Sequence, residues 1–98
     1  MIQFERAVRR KMDYYFDDEQ ILIEQQKKVR QDIAAQYIKA RKEKHLTQQE
    51  LADKLHVKRP NISRFESGEY NPTIDMLVKM AECLGMGLIV ELKLNKED

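Results

Sequence analysis

Apolar residues recur at steps of three and four along most of the chain, and the pattern turns to strict alternation only near its end. From Ile2 to Phe16 the positions Phe4, Val8, Met12 and Tyr15/Phe16 predict an amphipathic helix. Asp17 or Asp18 is placed to cap a new helix. From there to about Glu43 the residues are strong helix formers with neither Gly nor Pro, which permits one long helix or two with a soft break near Lys27 to Gln31. Thr47-Gln48-Gln49-Glu50 reads as a capping box that opens a short helix to about Leu55. After His56-Val57 a further helix is predicted from Lys58 or Arg59 to Ser67, with Gly68 free to take the left-handed conformation that closes it. Asn71-Pro72 interrupts the chain, Thr73 caps a helix that runs through Leu84, and Gly85 stops it.

The segment Gly87 to Leu94 changes period. Leu88, Val90, Leu92 and Leu94 share one face, as in a half-buried strand. A lone strand leaves its backbone amides and carbonyls unpaired, so the expected partner is the same strand of a second copy or a sheet edge on another protein. These four residues are therefore the candidates for dimerisation. The competing reading is a terminal tail that packs on the helices.

Composition narrows the function. With 98 residues, of which 42% are hydrophobic, the chain can hold one small domain whose core is too modest for a buried active-site cavity. Apolar runs such as Leu88 to Val90 are too short to span a bilayer, and no apolar signal-peptide core opens the chain, so no membrane association is expected and a cytoplasmic protein is the default. The single cysteine, Cys83, falls in the apolar pattern of a late helix and is expected to be core. Net charge is only +1, yet Lys27 to Ser67 carries eleven Lys or Arg against five Asp or Glu, while the remainder carries seven against twelve. Such segregation suggests a basic functional face and an acidic remainder with another task.

For catalysis the chain offers little. His45 and His56 have no carboxylate or thiol at ligand spacing and read as turn residues; no Gly-rich phosphate loop or nucleophile context is present. No metal site, cofactor or enzymatic activity is expected.

The basic middle is more informative. At about 100° per residue, Ile62 and Phe65 define one buried face of the helix after His56-Val57. Pro60, Ser63, Arg64 and Ser67 lie opposite, with Arg59 at the edge, and Glu66 is turned to the flank. An exposed ridge that is small, hydroxylated and cationic suits a helix entering the major groove, where arginine donates to guanine and hydroxyls meet phosphate. Pro60 falls in the first turn, where its missing amide hydrogen is not needed, and its ring is expected to face the groove and meet a thymine methyl.

The stretch TQQELADKLHVKRPNISRFESGEYNPT resembles the helix-turn-helix of the Cro/C1 (XRE) repressor family, with similarity from about Ile33 to Leu84. The resemblance implies an all-α, five-helix DNA-binding domain over residues 27–86 that acts as a dimer. Around it stand an N-terminal helical extension, residues 1–26, and a C-terminal strand and tail, residues 87–98. It also implies roles: Gln48 on a phosphate, Lys58 near the backbone at the N-terminal end of the recognition helix, and Arg59, Pro60 and Arg64 reading bases. Ser63 would lie toward base edges and Ser67 toward phosphate, while Glu66 would pair internally with Arg41. Two departures stand out. The family often has Gly where this chain has His45, so a left-handed turn there would carry strain, and Lys58 replaces the usual Ser or Thr cap.

The layout of an acidic, aromatic N-terminal extension, this motif and a closing LGMGLIVEL segment resembles HigA-type antitoxins of bacterial toxin–antitoxin pairs. That implies a second activity, neutralising a small basic RNA-cleaving toxin by direct binding while repressing the chain's own operon. Asp13, Asp17, Asp18, Glu19 and Glu24 form an acidic run without Lys or Arg, and Tyr14, Tyr15 and Phe16 offer aromatic anchors. Candidate toxin-binding residues are Phe4, Val8, Met12, Tyr15, Phe16, Asp17 and Asp18. The alternative is a stand-alone phage or stress repressor of the same family.

Overall fold

A computed structural model of the chain describes residues 2–94, with side chains described from Asp18 onward. It contains α1 (Ile2–Glu43), α2 (Gln48–Leu55), α3 (Arg59–Glu66) and α4 (Ile74–Cys83). The chain divides into two compact units, Lys27–Ile89 and a second made of Met1–Gln26 with Val90–Asp98. Unit Lys27–Ile89 holds the core.

This architecture corrects the expected fold of five helices and a C-terminal strand: among the described residues there are four helices and no strand. The helices expected on either side of Asp17 and Asp18 are merged in α1. An aspartate inside a helix costs only up to about 0.7 kcal/mol relative to alanine, and no Gly or Pro occurs before Pro60 to end the helix. At the other end, Leu88 packs against the core, but Ile89, Val90, Leu92 and Leu94 are 87%, 74%, 96% and 84% exposed. Alternation alone does not make a strand. With no second strand among the described residues to complete the ladder, the backbone polar groups of this segment gain nothing over water by adopting one.

The remaining helix ends follow from their local chemistry. Thr47 Oγ1 accepts from the Glu50 amide at 3.0 Å and Glu50 Oε1 accepts from the Thr47 amide at 2.8 Å, a complete capping box. Thr73 Oγ1 accepts from the Met76 amide at 3.1 Å. His45 and His56 end α1 and α2 in the left-handed region, with φ of 58° and 59°. Histidine tolerates that region better than most residues, but not as freely as glycine. Gly68 follows α3 at φ +81°, and a Cβ there would meet Gln31 Cγ at 2.9 Å and Gln31 Cα at 3.2 Å. The C-terminal end of α3 thus lies directly on α1, at a distance only glycine allows.

The core gathers Tyr37 and Ala40 of α1, Leu51, Ala52 and Leu55 of α2, Ile62 and Phe65 of α3, and Leu77, Met80, Ala81 and Leu84 from α4 and its cap. Cys83 is half-buried against it. Each of the three short helices buries only one stripe, so none is stable apart from the others. The Tyr37 and Phe65 rings meet edge to face, with centroids 5.3 Å apart and planes at 89°. Tyr37 Oη donates to the Leu77 carbonyl at 2.7 Å, which joins α1 to α4. Burial raises the Tyr37 pKa above its ordinary 10.0.

One polar group crosses this packing. Arg41, 8% exposed, donates from Nε to Glu66 Oε2 at 2.7 Å, from Nη2 to Glu66 Oε1 at 3.0 Å and from Nη1 to the Leu46 carbonyl at 2.7 Å. The pair is bidentate, with side chains 10% and 7% exposed, and it ties α1 to the last turn of α3 and to the loop before α2.

Two outcomes follow from this packing. Below pH 10 Tyr37 is neutral in both the folded and unfolded chain; above it the unfolded chain loses a proton that the raised folded pKa retains. Stability should therefore fall as pH rises past about 10. Tyr37→Phe should cost about 1 kcal/mol at neutral pH and make the alkaline decline shallower, as read from urea midpoints across pH. Glu66→Ala strands a buried guanidinium and should lose roughly 3 to 5 kcal/mol, whereas Arg41→Met combined with Glu66→Leu should lose less than Glu66→Ala alone.

Candidate nucleic-acid interface

Helices α2 and α3 are joined by three residues, His56-Val57-Lys58. The left-handed His56 turns the chain back so that the Val57 amide bonds to the Ala52 carbonyl at 3.0 Å, and the Val57 side chain is drawn onto the core. Lys58 then takes an extended conformation, φ −85° and ψ 146°, and starts α3 without a side-chain capping bond. Pro60 reduces what such a cap would have to satisfy. It removes one of the unpaired amides of the first turn, and the Asn61 amide is already bonded to the Lys58 carbonyl at 2.9 Å.

Burial sorts the residues of α3. Ile62 and Phe65 are 1% and 4% exposed, while Lys58, Arg59, Pro60, Ser63, Arg64 and Ser67 are all exposed. Glu66 lies with its carboxylate on Arg41, so the outer face of α3 presents Lys58, Arg59 and Arg64 and no acid. Nearby acids on α2 are engaged locally: Asp53 accepts from Gln49 at 2.9 Å, and Glu50 closes its capping box. The charged side chains that α3 and its cap expose on this face are all cationic, which favours the approach of an anion.

Two of the residues singled out in the sequence sit differently from a simple contact role. Gln48, half-buried at the start of α2, donates from Nε2 to Glu66 Oε1 at 2.9 Å and accepts at Oε1 from Arg59 Nη1 at 3.3 Å. One amide hydrogen remains for any phosphate. Ser67 Oγ donates to the Arg64 carbonyl at 2.6 Å and accepts from the Glu69 amide at 3.3 Å. Because phosphate oxygens only accept, a Ser67–phosphate bond would require the Arg64 bond to break. The Gln48 links to Glu66 and Arg59 join residues 18 and 11 positions apart, and no local signal in the sequence carries them.

Phe4, Val8, Met12, Tyr15, Phe16 and Asp17 lie outside the residues whose side chains are described, and Asp18 is half-buried. Leu88 is half-buried on the core, and Val90, Leu92 and Leu94 are exposed. Among the described residues, no His, Cys, Asp and Glu side chains gather as they would around a metal ion, and no helix is long and apolar enough to cross a membrane.

Comparison with known proteins places this geometry. A candidate multi-protein-binding factor 1 of Yarrowia lipolytica is 41% identical over 61 residues, 62% of this chain and 40% of that protein. The uncharacterized HTH-type transcriptional regulator YqaE of Bacillus subtilis is 40% identical over 55 residues, 56% of this chain and 47% of that protein. An uncharacterized HTH-type transcriptional regulator of Methanothermobacter thermautotrophicus is 38% identical over 58 residues, 59% of this chain and 84% of that protein. The chain thus spans less than half the length of the first two. No solved structure matches significantly. The helix-turn-helix family matches residues 38–89, more than half of the chain. With its two short helices, three-residue turn and exposed cationic face, the chain belongs to the helix-turn-helix family and carries a Cro/C1 (XRE)-type DNA-binding domain.

Proposed function

We propose that the chain is a sequence-specific transcription regulator that binds an inverted-repeat operator as a homodimer, with α3 as the helix that enters the major groove. The observation that carries this reading is the acid-free exposed face of α3, whose one carboxylate, Glu66, is turned inward onto Arg41. A helix face that merely met solvent would have no reason to segregate its charges in this way. Lys58 stands at the N-terminal end for the phosphate backbone, Arg59 and Arg64 for guanine edges, and Pro60 for an apolar contact with a thymine methyl; Ser63 lies between the arginines, toward base edges. In a dimer the two copies of α3 would meet successive major grooves about 34 Å apart. Apolar side chains available to a dimer interface are Ile74 and Val78, exposed on α4, and Val90, Leu92 and Leu94 of the tail.

The same chain, on this reading, is an antitoxin of the HigA type. Support comes from the N-terminal extension: α1 begins well before the core and carries the acidic run and the aromatic cluster Tyr14-Tyr15-Phe16. These suit a small basic toxin, whose binding would cover Phe4, Val8, Met12, Tyr15, Phe16, Asp17 and Asp18. The simpler alternative, a stand-alone regulator, is favoured by the names of the Bacillus and Methanothermobacter relatives, both HTH-type transcriptional regulators.

Gel shift on the chain's own promoter should show a salt-sensitive, sequence-selective complex, and its absence would count decisively against the DNA role. Arg64→Ala should relax base choice at one position per half-site, whereas Lys58→Ala should weaken every sequence evenly and lower the salt slope by about one. Co-expression with the product of a neighbouring small basic reading frame should yield a complex that is lost when Tyr15 and Phe16 are both changed to Ala. Undiminished capture would remove the N-terminal region as the toxin site.

A further inference from the structure

Every residue of α1 from Glu19 to Val29 is exposed, so about three turns of this helix are open to solvent on all sides. Among them Ile21, Leu22, Ile23 and Val29 are 49%, 58%, 52% and 53% exposed. A helix draws most of its stability from burying an apolar face on another element, and among the described residues no element does this for these turns. The apolar side chains are left in water.

The sequence on either side of Leu22 is complementary in charge. Residues 13–19, DYYFDDE, hold four acids and no base, whereas residues 25–31, QQKKVRQ, hold three bases and no acid. The two segments are equally far from Leu22. Tyr15, Leu22 and Val29 also recur every seven residues, the repeat that keeps one seam of a helix in contact with another. A second copy laid antiparallel and centred on Leu22 therefore sets acids against bases along both halves, with Tyr15 against Val29. A parallel copy would set like charges together, which disfavours it.

We propose that α1 pairs with α1 of a second copy in this antiparallel, two-fold register. Ile21, Leu22 and Ile23 meet their own counterparts about the axis, and the acids of one copy lie beside Lys27, Lys28 and Arg30 of the other. The interface is isologous, so each contact is made twice. Lys28 bonds Asp32 of its own helix at 3.1 Å, but both side chains are exposed and such a pair contributes little to hold Lys28 there. This pairing gives the homodimer of the proposed function its contact surface and rests on that part of the reading; the DNA contacts of α3 are not involved. It also covers Tyr15, Asp17 and Asp18, so a toxin bound to them would displace the second copy.

Asp18 and Lys28 provide the test. Ten residues apart on one helix, they stand about 15 Å from each other within a copy, too far to pair, whereas in the antiparallel register Asp18 lies within one turn of Lys28 of the other copy. In sedimentation equilibrium at low salt, the unaltered full chain should be a dimer. Asp18→Lys and Lys28→Asp should each weaken it about tenfold, and the two changes together should restore it to within about threefold. In a Cys83→Ser background, Tyr15→Cys and Val29→Cys chains mixed and oxidised should cross-link to each other, whereas Val29→Cys alone should not. A monomeric unaltered chain overturns both the pairing and the homodimer. A dimer indifferent to either charge reversal, or not restored by the double change, overturns the pairing and leaves the homodimer to another surface. Cross-linking of Val29→Cys to itself likewise overturns the antiparallel register.

Discussion

The Arg41–Glu66 pair is the constraint on which the working surface depends. Three short helices and the C-terminal part of a long one can pack their apolar stripes in slightly different ways for similar energies, because burial is not directional. A bidentate ion pair with side chains 10% and 7% exposed is directional. It fixes the rotation of α3 against α1, and through the Leu46 carbonyl it fixes the loop that starts α2. The desolvation of two charges is offset by the hydrogen bonds they make to each other and by those to the Leu46 carbonyl and from Gln48.

The same pair shapes the electrostatics of the outer face. Glu66 would cancel part of the charge of Arg59 and Arg64 if it faced solvent; held on Arg41, it leaves them uncompensated. Stability and function are coupled here in a physical sense, since the interaction that locks the helix also clears its surface of acid. Gln48 extends the network outward, bonding both the buried carboxylate and an exposed guanidinium.

The tail and the long helix show where periodicity misleads. Leu88, Val90, Leu92 and Leu94 alternate as in a strand, yet only Leu88 finds the core. Alternation states which side chains would share a face; it does not supply the second strand that makes such a face worth forming. Likewise Asp17 and Asp18 have the chemistry of a helix cap, but a cap is used only when the chain has a reason to leave the preceding helix, and α1 runs on through both.

What the sequence determined by itself is local or periodic. The Thr47–Glu50 box, the Thr73 cap, the left-handed Gly68 and the opposition of Ile62 and Phe65 to Arg59, Pro60 and Arg64 all follow from residues within one or two turns of each other. The XRE-type motif was legible for the same reason, because a helix, a tight turn and a helix occupy one contiguous stretch. Tertiary structure alone decided the close seat of Gly68 on Gln31, the hydrogen bond from Tyr37 to Leu77 and the links from Gln48 to Glu66 and Arg59, whereas the Arg41–Glu66 pair was expected from the family resemblance. These contacts join residues far apart along the chain. Whether two such groups meet depends on how helices rotate as they pack, and that is settled by the sum of many apolar contacts rather than by any short stretch of residues.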